Sequence, residues 1–310
     1  AYTEPTDEVT RPPETGAAET TEATTEATVP KMTADDIINI LVVGQAARAG
    51  EESYMADSTM LVSINTYTKE INCMSVLRDS LVKLPDYKGH QCGRAKFTVC
   101  YNLGHMWGDT AGAMEMTNIC LKDNFGVEVD YDVEISFDSF IKMIDYIDGI
   151  DIELTQAEAD YLNKDTLYVK RTIEPGVQRL QGMEALSYAR MRKAAGDSES
   201  DIKRTERQRK VVEALLERFR YKSLSKLNNW VDILMPMVTT TMTPTDVTKL
   251  AAKILPLLPE LKIKGYTIPM EGWGDMVDIY DNGEIHSVMR FDTAKEKKLI
   301  RAITEAEVSD

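Results

Sequence analysis

Positive charge is concentrated in one stretch of this otherwise acidic chain. Between Tyr188 and Lys210 the sequence holds eight Lys or Arg against four Asp or Glu, a local charge of +4 in a chain whose net charge is −15. Guanidinium groups pair with phosphate oxygens in a bidentate manner, so this concentration of arginine predicts a site for a phosphate or pyrophosphate. The candidate ligand-binding residues within it are Arg190, Arg192, Arg204 and Gln208.

A helix is predicted over residues 202–219, where apolar residues recur at helical spacing. At 100° per residue, Val211 and Leu215 fall within about 20° of Arg204, and Gln208 falls within about 40° of it. We therefore expect Arg204 and Gln208 on the buried stripe of this helix. Two basic residues at about 140° and 240° from Arg204 are expected to face solvent: Arg209 and Lys210.

A buried arginine is costly unless an anion meets it, and two explanations are open for Arg204 taken alone. One is an internal salt bridge with an acidic side chain, and the other is a bound anion. Arg190 and Arg192 favour the anion, because they follow a short predicted helix, residues 183–189. In an extended chain their i, i+2 spacing would direct both side chains the same way.

Composition separates the first residues from the rest. Residues 1–31 hold nine Thr, six Glu and four Pro, and such a segment cannot bury enough apolar surface to fold. We expect residues 1–33 to be a disordered extracellular spacer, and 34–310 to form a single domain with core motifs in 37–219 and a continuation over 220–300. No stretch approaches the roughly 18 apolar residues of a membrane span, and the sequence begins without Met or a basic segment, so we expect any signal or anchor segment to precede it.

Strand and helix patterns alternate through the domain and predict an α/β fold. We expect a central mixed sheet with helices on both faces, in three layers, and a helical C-terminal elaboration. Two strands should form a hairpin around residues 66–69. The predicted strands are 37–43, 58–65, 70–77, 131–136, 150–154 and 262–269. The predicted helices, besides 183–189 and 202–219, are 114–124, 137–147, 223–237 and 244–258.

Two further features bear on function. Arg78 and Asp79 directly follow an apolar strand, at the kind of sheet edge where open α/β folds bind ligands. Residues 86–109, which include Lys96, show no clear periodicity and are predicted to be an irregular functional segment.

Cysteine and histidine patterns argue against several site classes. The four cysteines form no C-x-x-C pair and no cluster with histidine, which disfavours a zinc site. Cys73 lies in a strand pattern and is expected to be a buried thiol. The other three would allow one disulfide in an exported protein: Cys92, Cys100 and Cys120. Three histidines and no G-x-S-x-G motif give little support to a Ser/His/Asp hydrolase, and the acidity disfavours nucleic acid as a partner.

The basic stretch carries a family resemblance. It reads Gln178-x-Leu180-x-Gly182-x-x-Ala185-Leu-x-Tyr188-Ala-Arg190-x-Arg192, followed by Asp201-x-x-Arg204-x-x-Arg207-Gln208. This pattern resembles the LytR-CpsA-Psr family of cell-wall glycopolymer ligases. The resemblance implies an extracellular, membrane-anchored phosphotransferase. It would move a glycopolymer phosphate, of teichoic-acid or capsule type, from a polyprenyl-pyrophosphate carrier to the muramic acid C6 hydroxyl of peptidoglycan.

The resemblance also implies roles for individual residues. Asp57 takes the place of the family's metal ligand and would hold Mg²⁺ or Mn²⁺. Arg78 and Asp79 match the family's Arg-Asp pair, and Asp79 is a candidate to help deprotonate the acceptor hydroxyl. The pyrophosphate would be bound by Arg78, Lys96, Arg190, Arg192, Arg204 and Gln208, with Arg48, Asp201 and Arg207 as additional candidates.

Two positions depart from the family pattern and keep alternatives open. Ala46 stands where the family commonly has Asp, and Met55 stands where it commonly has Arg. A non-catalytic polyprenyl-phosphate binding or envelope regulatory protein is one alternative. A metal-dependent pyrophosphatase or phosphodiesterase, which would release its product to water, is another.

The lipid of such a carrier would need an apolar channel. Helices 114–124 and 137–147 are candidates for its walls. An ordinary filled core is nevertheless the favoured explanation for their apolar residues, which are Met114, Ile119, Phe140 and Ile144.

Overall fold

The computed structural model describes residues 32–45, 56–192, 201–220, 232–281 and 284–305, and these residues form twelve strands and seven α-helices within the described ranges. The strands are β1 (Ile37–Gln45), β2 (Ala56–Asn65), β3 (Glu70–Val76), β4 (Leu81–Lys83), β5 (Arg94–Lys96), β6 (Tyr131–Ser136), β7 (Ile150–Leu154), β8 (Gly176–Leu180), β9 (Thr239–Thr240), β10 (Lys262–Ile268), β11 (Gly274–Asp281) and β12 (Glu284–Phe291). The α-helices are α1 (Phe97–Phe125), α2 (Phe137–Tyr146), α3 (Gln156–Lys164), α4 (Gly182–Arg190), α5 (Asp201–Phe219), α6 (Pro244–Ile254) and α7 (Thr293–Thr304).

Six strands form a central mixed sheet in the order β10-β3-β2-β1-β6-β9. β2 is antiparallel to both β1 and β3, which confirms the predicted hairpin, while β6 is parallel to β1 and β10 is parallel to β3. The carboxyl ends of β1, β3, β6 and β10 therefore meet at one edge, where β2 begins. This is the edge at which open α/β sheets bind ligands.

Helices cover both faces of the sheet, which confirms the predicted three-layer α/β fold. Because side chains alternate along a strand, Leu41 and Val43 of β1 pack into the core formed with α1 and α7, whereas Ile40 packs on the opposite face. That opposite face is covered by α5 and α6. The helices α2, α4 and α5 also pack on one another and enclose a further core with the β7–β8 hairpin.

Of the irregular segment predicted over residues 86–109, residues 86–93 are irregular, but Arg94–Lys96 form β5 and residues 97–109 belong to α1, so the prediction was wrong for that second part. Residues 97–107 form the first arm of α1, which turns back at Gly108 and Asp109, the two residues with non-helical backbone angles. The two arms approach closely, because a Cβ on Gly104 would lie 2.5 Å from the carbonyl oxygen of Gly112. The first arm contributes to the core of the sheet and also packs on the second arm, and this burial on two sides explains why its sequence lacks a single apolar stripe.

The C-terminal continuation contains strands as well as helices. β10 joins the central sheet, and β11 and β12 form a separate two-stranded sheet. The predicted helix 223–237 lies mostly outside the described residues; within the described part, residues 232–234 are helical and Met235–Met237 form a short 3-10 turn. Of the predicted spacer only residues 32 and 33 are described. No helix within the described ranges is long and apolar enough to cross a bilayer.

All four cysteines are free thiols, so the disulfide considered among Cys92, Cys100 and Cys120 is not formed. Cys73 is buried as predicted, and burial raises the pKa of its thiol to about 12. The Cys100 thiol lies beside that of Cys120 between the arms of α1. A hydrogen bond between the two thiols, together with burial, raises the pKa of Cys100.

Candidate functional site

An apolar cavity of about 390 Å³ lies between the sheet and three helices. Its sheet wall is formed by residues of β1, β2 and β6: Val42, Val43, Gly44, Met60 and Ile135. Its helical wall is formed by residues of α2, α4 and α5: Phe137, Phe140, Met143, Ile144, Leu186, Ala189, Val211, Val212 and Leu215. This volume falls in the range of small-molecule binding sites, so the cavity is large enough for part of an apolar ligand.

Of the two helices predicted as candidate walls of an apolar channel, only one lines this cavity. α2 lines the cavity through Phe140 and Ile144, which also pack in the core enclosed by α2, α4 and α5, so both explanations hold for this helix. Residues 114–124 belong to the second arm of α1, and Met114 is buried in the core on the other face of the sheet.

The predicted phosphate-binding residues converge on this cavity. Arg190, Arg192, Arg204 and Gln208 all line it, and the Ser58 hydroxyl donates a hydrogen bond to Gln208 Oε1 at 3.0 Å. Arg204 is buried, at 3% exposure, as its position on the apolar stripe of α5 predicted. A strongly apolar cavity thus carries three guanidinium groups in its lining, and such an arrangement suits a ligand with an apolar part and an anionic part.

Aromatic side chains hold Arg190 at the end of α4. Its Nη1 donates to the Tyr168 hydroxyl at 3.1 Å. Its guanidinium carbon also lies 4.9 Å from the ring centre of Phe137 and 5.7 Å from that of Tyr168. These contacts orient the guanidinium without neutralising its charge. Sequence analysis did not identify Phe137 or Tyr168, because neither belongs to the basic stretch.

Asp201, at the start of α5, connects three of the arginines. Its carboxylate lies 2.7 Å from Arg78 Nε, 3.4 Å from an Arg204 Nη atom and 3.9 Å from Arg192 Nε. Together with Lys96, these three arginines carry four positive charges against the two carboxylates of Asp201 and Asp79, so positive charge exceeds negative charge among these six side chains. Asp201 is therefore placed to position arginines rather than to contact an anion itself.

A second cavity, of about 260 Å³, adjoins the first. The two share Ser58, Arg204 and Gln208 as lining residues. The second cavity is also lined by Arg78, Asp79 and Asp201 from the predicted site, and by two methionines of the β11–β12 hairpin that sequence analysis did not identify: Met276 and Met289. The structure thus brings the Arg78–Asp79 pair to the arginines of the basic stretch.

Asp79 is held between two cations at the base of the second cavity. Its carboxylate lies 2.7 Å from Lys96 Nζ and 3.5 Å from Arg78 Nε. Lys96 reaches it from β5, which pairs with β4, the strand that begins just beyond Asp79. Lys96 therefore acts on this site through Asp79, and it lines neither cavity.

Arg207 lies away from both cavities, contrary to its inclusion among the ligand-binding candidates. Its Nε lies 2.9 Å from Glu158 Oε1 of α3, with both side chains 6% exposed, and its Nη1 donates to the Met191 carbonyl at 3.2 Å. Burial alone would raise the pKa of Glu158, but hydrogen bonds from Thr155 and Arg207 outweigh it and hold the pKa below its usual value. Arg207 is thus part of a buried ion pair between helices.

Arg209 is also placed differently from its prediction. Its Nη1 donates to Ser75 Oγ at 3.2 Å, to the Tyr266 carbonyl at 3.1 Å and to Thr267 Oγ1 at 3.0 Å. It therefore faces the ends of β3 and β10 instead of solvent, and burial lowers its pKa. The helical wheel placed it away from the stripe of Arg204, but α5 is covered on that side by the sheet. Lys210 is exposed, as predicted.

The remaining candidates are only partly described. Arg48 lies outside the described residues, as do Ala46 and Met55, while the backbone of Asp57 lies in β2 next to Ser58. Among the side chains that the structure describes, no group of three or more His, Cys, Asp or Glu could hold a metal ion. Asp79 and Asp201 are both already paired with cations.

Comparison with known proteins is consistent with this architecture. The chain is 30% identical over 207 residues, or 65% of its length, to the polyisoprenyl-teichoic acid–peptidoglycan teichoic acid transferase TagT of Bacillus subtilis (strain 168), of which the match spans 58%. It is 29% identical over 252 residues to the regulatory protein MsrR of Staphylococcus aureus (strain COL), covering 80% of this chain and 69% of that one.

A solved structure has the same fold. TagT with bound octaprenyl pyrophosphate lipid superposes with a TM-score of 0.61 at 20% identity, over 89% of this chain and 94% of that chain. The model of the LytR_cpsA_psr family matches residues 10–298, which is most of the sequence. The protein therefore belongs to the LytR-CpsA-Psr family.

Proposed function

We propose that this protein transfers a glycopolymer phosphate from a polyprenyl-pyrophosphate carrier to the muramic acid C6 hydroxyl of peptidoglycan, outside the cell and anchored to the membrane. The observation that carries this proposal is the apolar cavity of about 390 Å³ whose lining includes Arg190, Arg192 and Arg204. A lipid pyrophosphate has the matching two parts, an apolar chain and a charged head. The teichoic acid transferase activity for which TagT is named, and the octaprenyl pyrophosphate bound in its structure, support the same substrate class.

The charged head would lie against the arginines shared by the two cavities. A pyrophosphate that bridges two esters carries two negative charges, and Arg78, Arg190, Arg192 and Arg204 carry four positive charges against the two carboxylates of Asp201 and Asp79. The driving force would reside in the donor's own pyrophosphate bond, so no nucleotide is needed. Catalysis of this kind depends on neutralising charge and positioning the hydroxyl.

The proposed reaction exchanges one phosphorus–oxygen bond for another. The acceptor hydroxyl oxygen bonds to the phosphorus that carries the glycopolymer, and the bond from that phosphorus to the bridging oxygen breaks. Polyprenyl monophosphate leaves, and the hydroxyl proton passes to solvent. Asp79, which lines the second cavity, is the candidate to accept that proton first. Arg78 and Arg204 would stabilise the charge that develops on the departing phosphate.

The metal assignment is a proposal that rests on Asp57. A bound Mg²⁺ or Mn²⁺ would supply additional neutralisation of phosphate charge. Asp79 and Asp201 do not offer it a carboxylate, because each is engaged by arginine or lysine. If Asp57 binds the metal, Asp57→Ala should abolish any effect of Mg²⁺ on donor binding, and an unchanged Mg²⁺ effect would contradict the assignment.

The first experiment is a calorimetric titration of the purified protein with geranyl pyrophosphate and with a longer polyprenyl pyrophosphate, with and without Mg²⁺. Each buried methylene contributes about 0.8 kcal/mol, so affinity should rise with chain length until the cavity is filled. Arg190→Ala should abolish measurable binding. No binding of either ligand by the wild-type protein would overturn the proposal.

A non-catalytic role is the second candidate. It is favoured by Ala46 and Met55, which replace residues that the family commonly has, and by the similarity to a protein named as regulatory. A binding-only protein would hold the donor tightly and release no polyprenyl monophosphate when peptidoglycan is added. Release of polyprenyl monophosphate without any acceptor would instead indicate a pyrophosphatase or phosphodiesterase.

A further inference from the structure

The β11–β12 hairpin has one face that packs on the protein and one that does not. In its register Met276 lies opposite Met289, Asp278 opposite Ser287, and Tyr280 opposite Ile285, so these six side chains share a face. We call them the outer face of the hairpin. Tyr280, Ile285 and Met276 of this face are 76%, 72% and 54% exposed, whereas Val288 of the opposite face is fully buried. Three large apolar side chains exposed together commonly mark a binding surface.

The hairpin is fixed directly to the candidate active site. The Met289 backbone N–H donates to the Asp79 carbonyl at 2.8 Å, and Met289 also pairs with Ser80 in an isolated parallel bridge. The side chains of Met276 and Met289 line the second cavity. The outer face therefore begins inside the second cavity and continues outward to Tyr280 and Ile285, as one surface.

The proposed reaction gives the second cavity a specific place. Arg204 and Gln208 line both cavities, so a phosphate held by them lies between the two. In phosphoryl transfer the attacking and leaving oxygens lie roughly in line on opposite sides of the phosphorus. If the lipid phosphate leaves toward the apolar cavity, the hydroxyl must arrive through the second cavity.

We propose that the second cavity and the outer face of the hairpin bind the acceptor glycan, with Tyr280 stacked on a sugar ring and the reactive hydroxyl directed toward Asp79. This inference rests on the proposed function, because the position of the lipid decides on which side the acceptor enters. The ligand class is an N-acetylated amino-sugar chain. Tyr and Met offer apolar contact to the C–H face of such sugars, while Asp278 and Ser287 accept hydrogen bonds from hydroxyl and amide groups.

A lipid surface fits the outer face less well. Asp278 lies between the apolar pairs and is exposed, and burying its carboxylate among acyl chains would be costly. The chain also has a net charge of −15, which opposes adsorption to anionic lipids. A glycan in water requires neither the burial of Asp278 nor the approach of like charges.

The test is a titration of the full chain with an uncrosslinked GlcNAc–MurNAc tetrasaccharide, monitored by calorimetry, in the absence of any donor. Two variants address the outer face, Tyr280→Ala and Ile285→Ala, at paired positions that line neither cavity. The matched control is Tyr67→Ala, since Tyr67 is 43% exposed but lies in the β2–β3 turn, at the opposite end of the sheet. The second ligand is a polyprenyl pyrophosphate, titrated separately into every variant.

We expect Tyr280→Ala and Ile285→Ala to weaken tetrasaccharide binding by about tenfold or more, and Tyr67→Ala to change it less than about twofold. Binding of polyprenyl pyrophosphate should stay unchanged in all three. The inference is overturned if the wild-type protein does not bind the tetrasaccharide, or if the outer-face variants bind it as well as the wild type does. It is equally overturned if Tyr280→Ala instead abolishes binding to phosphatidylglycerol vesicles, which would assign the face to a membrane. If the wild-type protein binds the tetrasaccharide through Tyr280 but does not bind polyprenyl pyrophosphate, the proposed function is contradicted. The glycan site would still stand.

Discussion

Arg204 and Arg207 lie one helical turn apart in α5, both buried, yet their alanine variants should fail in different ways. Arg207→Ala leaves the Glu158 carboxylate, 6% exposed, without the guanidinium that lies 2.9 Å from it. Removing one partner of a buried pair costs about 3–5 kcal/mol, which is a large part of the stability of an ordinary domain. Binding of polyprenyl pyrophosphate should be retained in the molecules that remain folded, because Arg207 lines neither cavity.

Arg204→Ala should have the opposite consequences. Its Asp201 partner is 26% exposed and keeps Arg78 at 2.7 Å, so that carboxylate is not left unpaired, and the loss of stability should be smaller than for Arg207→Ala. The lost contact with the ligand phosphate is a hydrogen bond to a charged group, worth about 1.5–3 kcal/mol, or roughly 10- to 100-fold in affinity. Lys203→Ala, an exposed position on the same helix, is the control for both quantities.

Urea unfolding gives the free energy of unfolding of each variant, provided that the slope with denaturant stays constant. Calorimetry with a polyprenyl pyrophosphate gives the affinity under conditions in which each variant is folded. The reasoning is refuted if Arg207→Ala loses lipid affinity while its unfolding free energy is unchanged, or if Arg204→Ala unfolds the domain. Adding Glu158→Gln to Arg207→Ala should recover part of the lost stability, because the uncompensated charge is then removed.

Three further predictions concern the pH dependence of the Glu158 ion pair, the filling of the apolar cavity and the accessibility of the cysteines. Glu158 has a usual pKa of 4.5 that is lowered in the folded protein, so its stabilisation is complete above about pH 4.5 and is lost as the pH falls through the lower folded value. The stability difference between wild type and Arg207→Ala should therefore shrink below about pH 4.5, and a constant difference in urea unfolding from about pH 7 to about pH 3 would contradict the pairing. Leu215→Trp should fill part of the apolar cavity and weaken binding of a long polyprenyl pyrophosphate about tenfold or more, while binding of geranyl pyrophosphate is affected less. If calorimetry shows the same loss of affinity for both ligands, the cavity does not bind the lipid chain. In the folded protein, a thiol reagent should label Cys92 within minutes and the fully buried Cys73, Cys100 and Cys120 only on unfolding, and mass spectrometry of the labelled peptides would detect any other order.

Elements with one clear apolar period could be predicted closely from the sequence. The strands 131–136 and 150–154 have the same bounds in the structure, and helix 202–219 begins one residue earlier. Residues 97–107 could not be predicted, because this arm of α1 is buried on more than one side and leaves no periodic pattern. The β11–β12 hairpin was missed although its residues alternate in exposure, since acidic residues occupy both of its faces.

The candidate site was predictable only where a residue type is informative by itself. The concentration of arginine in an acidic protein identified the arginine cluster at the cavity, and the strand end identified Arg78 and Asp79. A helical wheel gives the direction of a side chain but not what lies opposite. It could not distinguish Arg204, which lines two cavities, from Arg207, which forms an ion pair with Glu158 of another helix. For the same reason it assigned Arg209 to solvent.

One face of α5 combines the two properties that the proposed donor requires. Arg204 and Gln208 lie at its charged end, and Val211 and Leu215 continue the same face along the apolar cavity. From Arg204 to Leu215 this face runs about 16 Å, at 1.5 Å per residue. A nucleotide-linked sugar carries the same pyrophosphate but no apolar chain, so it would satisfy the arginines and leave the apolar part of the face exposed to water. Since each buried methylene contributes about 0.8 kcal/mol, burial of only four methylenes would already favour a lipid-linked donor by about two orders of magnitude. Selectivity for a membrane-borne substrate would therefore arise from the apolar half of this helix, and the arginines alone would not provide it.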